Sequence, residues 1–336
     1  MRFSPTYTIT PRILALLEKI TELRTKIEMS TIAVSWVPRL ERDAFTRLAH
    51  SSTAIEGNPL TLKEVEILSK GGSLPLAASR HKNEVLNYLA ALRYITEHSG
   101  KKTINEKDVL RLHGIIGKDA LEREPVGEFR DYQVVIRMHK PPKSKDVPRL
   151  VTELLSWLNS NGRELPAVIS SAILHYQFEY IHPFGDGNGR VGRVLATWEL
   201  YRREIDTHHI FSVDEIYWEY REKYFSSLLS VQEAKGDMTT WIEFVAGAVA
   251  EALSRAWKRV EKVRGQVTKS GEELILTPKQ ERLLNLLVST PMGISEIMKE
   301  MGITTRAGAH YIIKPLIDYK LIVRKGGHKT GKYVVS

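Results

Sequence analysis

The segment His182–Arg193 reads HPFGDGNGRVGR, and its two flanks decide the fold. Pro166–Tyr180 runs into it as a helix, and a second helix starts within it and extends from about Asn188 to Arg203. A dinucleotide fingerprint needs a strand before its glycines, so that reading fails. A P-loop fails because no Gly-Lys-Ser/Thr ending is present. An EF-hand loop counted from Asp186 would need Gly at its sixth position and Glu at its twelfth, where Val191 and Thr197 stand. What remains is a site with a helix on each side.

The residue types in the segment point to an anion handled next to a base. Gly185, Gly187 and Gly189 let backbone N–H groups converge as side-chain-bearing residues could not. The following helix adds its partial positive charge at the same place. Arg190 and Arg193 lie three apart and project from one face of its first turn, two guanidinium forks suited to a polyphosphate. Asp186 is a hard oxygen ligand suited to Mg²⁺. His182 has the free-state pKa of a general base. Together these groups suit phosphoryl or nucleotidyl transfer, with catalysis by orientation and charge.

Working outward, the chain reads as mainly α. Ile13, Leu16, Leu17, Ile20, Leu23 and Ile27 form one apolar stripe along Pro11–Met29. A helix from about Arg39 to Ile55 stops at Gly57, Asn58 and Pro59, and Thr61 with Glu64 forms a capping box for the next. Helices follow near Ser79–His98, Asn105–Ile116 and Pro148–Ser160, and a long helical stretch covers Glu215–Ala256. VGEFRDYQVVIRM at Val126–Met138 is rich in β-branched and aromatic residues and predicts a short hairpin or flap. Lys258–Glu273 is polar and reads as a helix end plus linker. From Leu276 the order is three helices and a hairpin across a Gly-rich turn, with Gly302 at the turn between the second and third helices. The expected division is therefore 1–60, 61–257 with its centre at about 105–203, a linker at 258–273, and a small C-terminal winged helix-turn-helix at 274–336.

Composition narrows the classes. The 336 residues include no Cys, which excludes a disulfide framework, a thiol nucleophile and a cysteine metal site. No signal peptide is visible, and the apolar run Phe244–Leu253 is too short to span a bilayer, so a soluble, cytoplasmic protein with no membrane partner is expected. The net charge is +9, and Ile275–Ser336 holds 10 Lys and Arg against 4 Asp and Glu. A nucleic-acid argument therefore belongs to the C-terminal segment alone.

His182–Arg193 matches the pattern H-x-F-x-D/E-G-N-G-R-x-x-R at every fixed position, and in this the chain resembles the Fic family. GEFR, WLNS, HYQFEYIHPF and the later YF…GD…WIEF are similar to family features too, so the resemblance spans roughly Ser51–Phe244. It implies a helical fold with a hairpin flap and transfer of AMP from ATP to a Ser, Thr or Tyr hydroxyl of a target protein. By position, it implies that His182 deprotonates the hydroxyl and Asp186 binds Mg²⁺ or Mn²⁺. Gly185, Gly187, Asn188, Gly189 and Arg190 would hold the nucleotide phosphates, and Arg193 would meet the γ-phosphate. Phe184 would anchor the loop in the core, and the flap 126–138 would dock the target as an added strand. Where relatives place Tyr-Tyr and a later Asn near adenine, this chain has Tyr224-Phe225 and Gln232.

SSTAIEGN at Ser51–Asn58 matches the family's inhibitory signature S/T-x-x-x-E-G/N through Ser52, Glu56 and Gly57. The resemblance implies that Glu56 pairs with Arg193 and denies it to the γ-phosphate. De-AMPylation, transfer from UTP, transfer of phosphate instead of AMP, and a homodimer all stay open. So does a DNA-binding regulator acting through the C-terminal segment, whose recognition helix would offer Thr305, Arg306 and His310 to DNA or to a protein partner.

Overall fold

The computed structural model describes residues 3–30, 36–121, 125–136, 140–206, 208–270, 277–319, 321–327 and 331–335. The chain is helical almost throughout. It starts with α1 (Pro11–Glu28), which Thr10 caps by accepting from the Ile13 N–H, with Pro11 in the first turn. Then come α2 (Val37–Ile55), α3 (Leu62–Ser69), α4 (Ser79–Glu97), α5 (Glu106–Gly117), α6 (Val147–Asn159) and α7 (Asn161–Glu164). The Thr61/Glu64 capping box forms as the sequence predicts, and Asn105 with Asp108 builds another ahead of α5.

The centre is the antiparallel pair α8 (Ala167–Ile181) and α9 (Asn188–Arg202), joined by the glycine-rich segment. Both are buried on nearly every side because α2, α4, α5, α6 and the later α12 pack around them. Two indoles tie this layer down: Trp198 Nε1 donates to the His98 carbonyl (3.1 Å) and Trp241 Nε1 to that of Ala172 (2.7 Å).

The long helix expected over Glu215–Ala256 is three helices: α10 (Val213–Glu219), α11 (Arg221–Glu233) and α12 (Thr239–Ser270). Lys235 (φ 52°) and Gly236 (φ 98°) turn the chain between the last two, and the Met238 N–H then bonds the Thr6 carbonyl. α1 packs along α12. The expected linker is helical up to Ser270, and residues 271–276 lie outside the described residues. In the flap, Ile136 stands at an isolated β-bridge, and residues 137–139 lie outside the described residues. Arg130 braces the segment, its guanidinium donating to the carbonyls of Tyr132 (2.9 Å) and Pro142 (2.7 Å).

The C-terminal segment has its own small core, with Leu283, Leu287, Ile297, Ile313, Leu316 and Ile322 among its buried residues. It folds as α13 (Pro278–Ser289), α14 (Ile294–Met301), α15 (Arg306–Asp318) and the antiparallel pair β1 (Ile322–Lys325) and β2 (Lys332–Val335), registered Ile322 to Val335. Gly302 sits in the left-handed region (φ 66°) at the end of α14, where the turn requires it. This unit rests on α2: α13 packs against it, and the buried Arg42 of α2 donates to the Val335 carbonyl. No helix among the described residues is long and apolar enough to cross a membrane.

Candidate active site

α8 ends at His182, which takes the left-handed conformation (φ 49°, ψ 63°) as its C-cap. That conformation costs a side-chain-bearing residue about 1–2 kcal/mol, so the surroundings must hold it. Arg130 does so. Its Nε donates to the His182 carbonyl (2.8 Å) and its backbone N–H to that of Pro183 (2.9 Å). The next residues close on themselves. Asn188 Oδ1 accepts from the Phe184 N–H (2.9 Å), and Asn188 Nδ2 donates to the Phe184 carbonyl (2.8 Å). The Asn188 side chain is thus spent on shaping the loop, leaving its backbone N–H for an anion. Gly187 (φ 80°) makes the turn into α9, whose first N–H groups have no partner within the helix.

Phe184 is fully buried and anchors the loop as expected, and its ring is stacked on His113 of α5 at 3.7 Å. His113 Nδ1 accepts from the Gly127 N–H (2.9 Å), so Nε2 carries the proton, which it donates to the Asp186 carbonyl (3.2 Å). Burial pushes this imidazole down to about 4, keeping it neutral and the tautomer fixed. His113 and Arg130 brace the segment through contacts that the sequence does not reveal. They lie 73 and 52 residues from their contacts in the segment, and only the fold brings them there.

Arg190 and Arg193 are both buried. Arg190 Nη2 lies 3.3 Å from Asp186 Oδ1 and Nη1 lies 3.7 Å from Glu84 Oε1. Its Nε and Nη1 are buried without a hydrogen-bond partner among the described residues. Arg193 is engaged from the other side. Its Nε donates to Ser52 Oγ (2.7 Å), and its Nη2 to the Ser52 carbonyl (3.0 Å) and to Glu56 Oε1 (2.7 Å). Burial disfavours the Arg193 charge, but the Glu56 carboxylate, with Tyr224 and Asp214, outweighs it and keeps the group cationic. Glu56 caps α2, and Gly57 (φ 94°) carries the chain away. Gly189 is where the two segments meet: a Cβ there would land on Glu56 Oε1. Asn58 Nδ2 donates to Glu84 Oε2 (2.8 Å), so residues 52–58 reach both arginines.

The adenine-side residues fall elsewhere. Tyr224 is buried in an aromatic cluster with its hydroxyl 3.1 Å from His175 Nε2, so its ring offers no open face. Gln232 is exposed near the end of α11, about 12 Å of helix beyond Tyr224. Asp186 is 47% exposed at the mouth of the site. No group of three or more His, Cys, Asp or Glu forms a metal cage among the described residues. A single exposed carboxylate still fits Mg²⁺, which takes one or two protein oxygens and completes its shell with phosphate oxygens and water.

Comparison with known proteins agrees with this geometry. Residues 103–200 match the profile described as the Fic/DOC family. The chain is 33% identical over 221 residues to the protein adenylyltransferase Fic of Aedes aegypti, covering 64% of this chain and 42% of that protein. It is 31% identical over 255 residues to that of Drosophila willistoni, covering 72% and 49%. It thus spans less than half the length of these relatives. Among solved structures, a Fic family protein from Desulfovibrio desulfuricans G20 aligns with TM-score 0.66 and 26% identity over 99% of this chain and 98% of its own. Fic-1 (residues 134–508) of C. elegans aligns with TM-score 0.65 and 25% identity over 74% and 73%. The segment that sets the fold, the relatives that share it and the full-length structural neighbour converge: residues 103–200 of this chain form a domain of the Fic/DOC family.

Proposed function

We propose that this chain is a protein adenylyltransferase that moves AMP from ATP to a Ser, Thr or Tyr hydroxyl of a target protein, and that Glu56 restrains it. The observation that carries the reading is the convergence of His182, the open start of α9 and two buried arginines at one mouth, one of them with unpartnered donors. The insect relatives, named as protein adenylyltransferases, support the same activity. The triphosphate lies against the backbone N–H groups of Gly187, Asn188 and Gly189, with Arg190 on the α- and β-phosphates and Arg193 on the γ-phosphate. Mg²⁺, held by Asp186 and phosphate oxygens, would neutralise triphosphate charge. His182 Nε2 takes the proton from the target hydroxyl as its oxygen attacks the α-phosphorus. The bond from that phosphorus to the oxygen bridging the α- and β-phosphates breaks, and pyrophosphate leaves. In the restrained state Glu56 occupies the Arg193 Nη2 that the γ-phosphate needs.

The segment 126–138 serves as the target-docking flap, and Arg130 transmits its position to His182. The chain divides into an inhibitory N-terminal region, a Fic unit and a C-terminal winged helix-turn-helix, whose α15 presents Arg306, His310 and Lys314 to a partner.

Label transfer tests the reading. With Mg²⁺, α-³²P-ATP should label protein and γ-³²P-ATP should not, and His182→Ala should abolish the signal. Label from the γ position would instead assign phosphate transfer. No label from either, in the Glu56→Gly variant as well, would remove ATP as the donor.

A further inference from the structure

Glu179 lies one helical turn before His182 on α8, with its Oε2 4.0 Å from His182 Nδ1. It is outside the fixed positions of the Fic pattern, and the reaction outlined above does not use it. Its side chain is 20% exposed, yet Oε1 is buried with no hydrogen-bond partner among the described residues. An unsatisfied buried oxygen destabilises a fold, a burden it sheds unless the group serves something. The opposite wall is cut away for it: a Cβ on Gly192 of α9 would come within 2.6 Å of Glu179 Oε1. α9 thus leaves room for one oxygen of a carboxyl whose other oxygen faces the nitrogen of His182 that does not perform the chemistry.

We propose that Glu179 is a positioning residue for His182, accepting from Nδ1–H and so presenting the unprotonated Nε2 to the target hydroxyl. This rests on the adenylyltransferase reading of the site. An imidazole can act as base through Nε2 only if its proton sits on Nδ1, and an acceptor behind the ring selects that tautomer. The resting separation of 4.0 Å is longer than a hydrogen bond, as resting catalytic pairs commonly are before substrate tightens them. Around Glu179 stand Arg193 on α9, Glu56 at the end of α2, His175 and His182 on α8, and Tyr224 on α11. Burial pushes the Glu179 carboxyl up to about 8; Arg193 opposes this and the Glu56 charge adds to it. Near pH 7 the group is a neutral acid, and its carbonyl oxygen is the acceptor.

The test uses the full chain carrying Glu56→Gly as parent. Glu179→Ala and Glu179→Gln are compared by label transfer from α-³²P-ATP across pH 6–9, with kcat and the KM for ATP determined separately. Glu179→Ala should lower kcat at least 10-fold and leave the KM for ATP within 2-fold. Glu179→Gln, whose amide oxygen can accept the same bond, should recover most of that loss at pH 7. A step in the parent's kcat profile, displaced below pH 8 because Glu56 no longer adds to the rise, should be missing from the Gln variant. Unchanged kcat in the Ala variant, or a raised KM for ATP at unchanged kcat, would overturn the proposal, the second result assigning Glu179 to Arg193 instead. A Gln variant no better than Ala would overturn it too. Should the parent itself transfer no AMP, the failure belongs to the adenylyltransferase reading. The tautomer of His182, read by ¹⁵N NMR, then decides. Nδ1–H in the parent and a mixture in the Ala variant supports the proposal, and the same tautomer in both overturns it.

Discussion

Replacing Glu56 by Gly removes one of three bonds to Arg193, and the structure sets the size of the effect. The lost contact is a charge-assisted hydrogen bond of 2.7 Å between a guanidinium that is 1% exposed and a carboxylate that is 39% exposed. Full burial of both groups would make such a bond worth about 1.5–3 kcal/mol. Solvent screening at the Glu56 end brings it to about 1–2 kcal/mol. If the γ-phosphate competes for the same Nη2, productive binding of ATP should rise by that free energy, about 5–30-fold in rate at subsaturating ATP. Fold stability should fall by no more than that same bond, about 1–2 kcal/mol, because Ser52 Oγ and the Ser52 carbonyl still hold Arg193. The assay is initial-rate label transfer from α-³²P-ATP with Mg²⁺, paired with thermal melts. Glu56→Gln, which keeps the shape and removes the charge, should fall between wild type and Glu56→Gly. A Glu56→Gly rate within 2-fold of wild type, with His182→Ala still silencing transfer, would refute Glu56 as a restraint while leaving the enzyme intact.

Other outcomes follow from the same geometry. Asn188→Ala strands the N–H and carbonyl of buried Phe184, so it should cost about 2 kcal/mol or more and be visible in a urea titration. Gly192→Ala should cost about 1–3 kcal/mol by overpacking against Glu179 and Phe178, and lower AMP transfer as well; an unchanged melt would mean the seat is loose. Stability should also depend on pH, with opposing signs. Burial pushes Glu41 and Glu179 up to about 8 and Asp206 to about 7, so the folded state keeps protons that the unfolded chain releases near 4, and stability falls as pH rises towards 8. Burial pushes His113 and His209 down to about 4 and His175 to about 3, so stability is lost as pH falls below 6.5. The two sets offset each other between about pH 4.5 and 6.5, leaving the carboxyls alone to lower the melting temperature from 6.5 to 8. Glu41→Gln should flatten that decline.

The sequence made legible what is encoded locally. The apolar stripe of α1, the capping box at Thr61 and the paired helices around His182–Arg193 each rest on residues within a few turns of one another. Glu56 and Ser52 could be matched with Arg193 only through a known signature, because 137 and 141 residues separate the partners. His113 and Glu84 carry no such signature, and Arg130 stands out only as the last residue of GEFR; what they hold exists only after distant groups arrive beside them. Glu215–Ala256 was misread as continuous because helix-forming residues run through both breaks, with Gly236 marking only the second. Tyr224 is a different case: a family position suggests a nucleotide contact, while in the fold its ring packs against His175 and Trp241.

α2 is loaded at both ends. Near its start Arg42 holds the last residues of the C-terminal unit, and at its end Glu56 holds Arg193. Nineteen helical residues, about 28 Å of stiff rod with no proline beyond the first turn, lie along it. The C-terminal unit and the glycine-rich mouth therefore hang on one rigid element. If AMP transfer runs at that mouth, trimming the unit away removes a support of α2, and activities with and without it belong side by side in the same experiment.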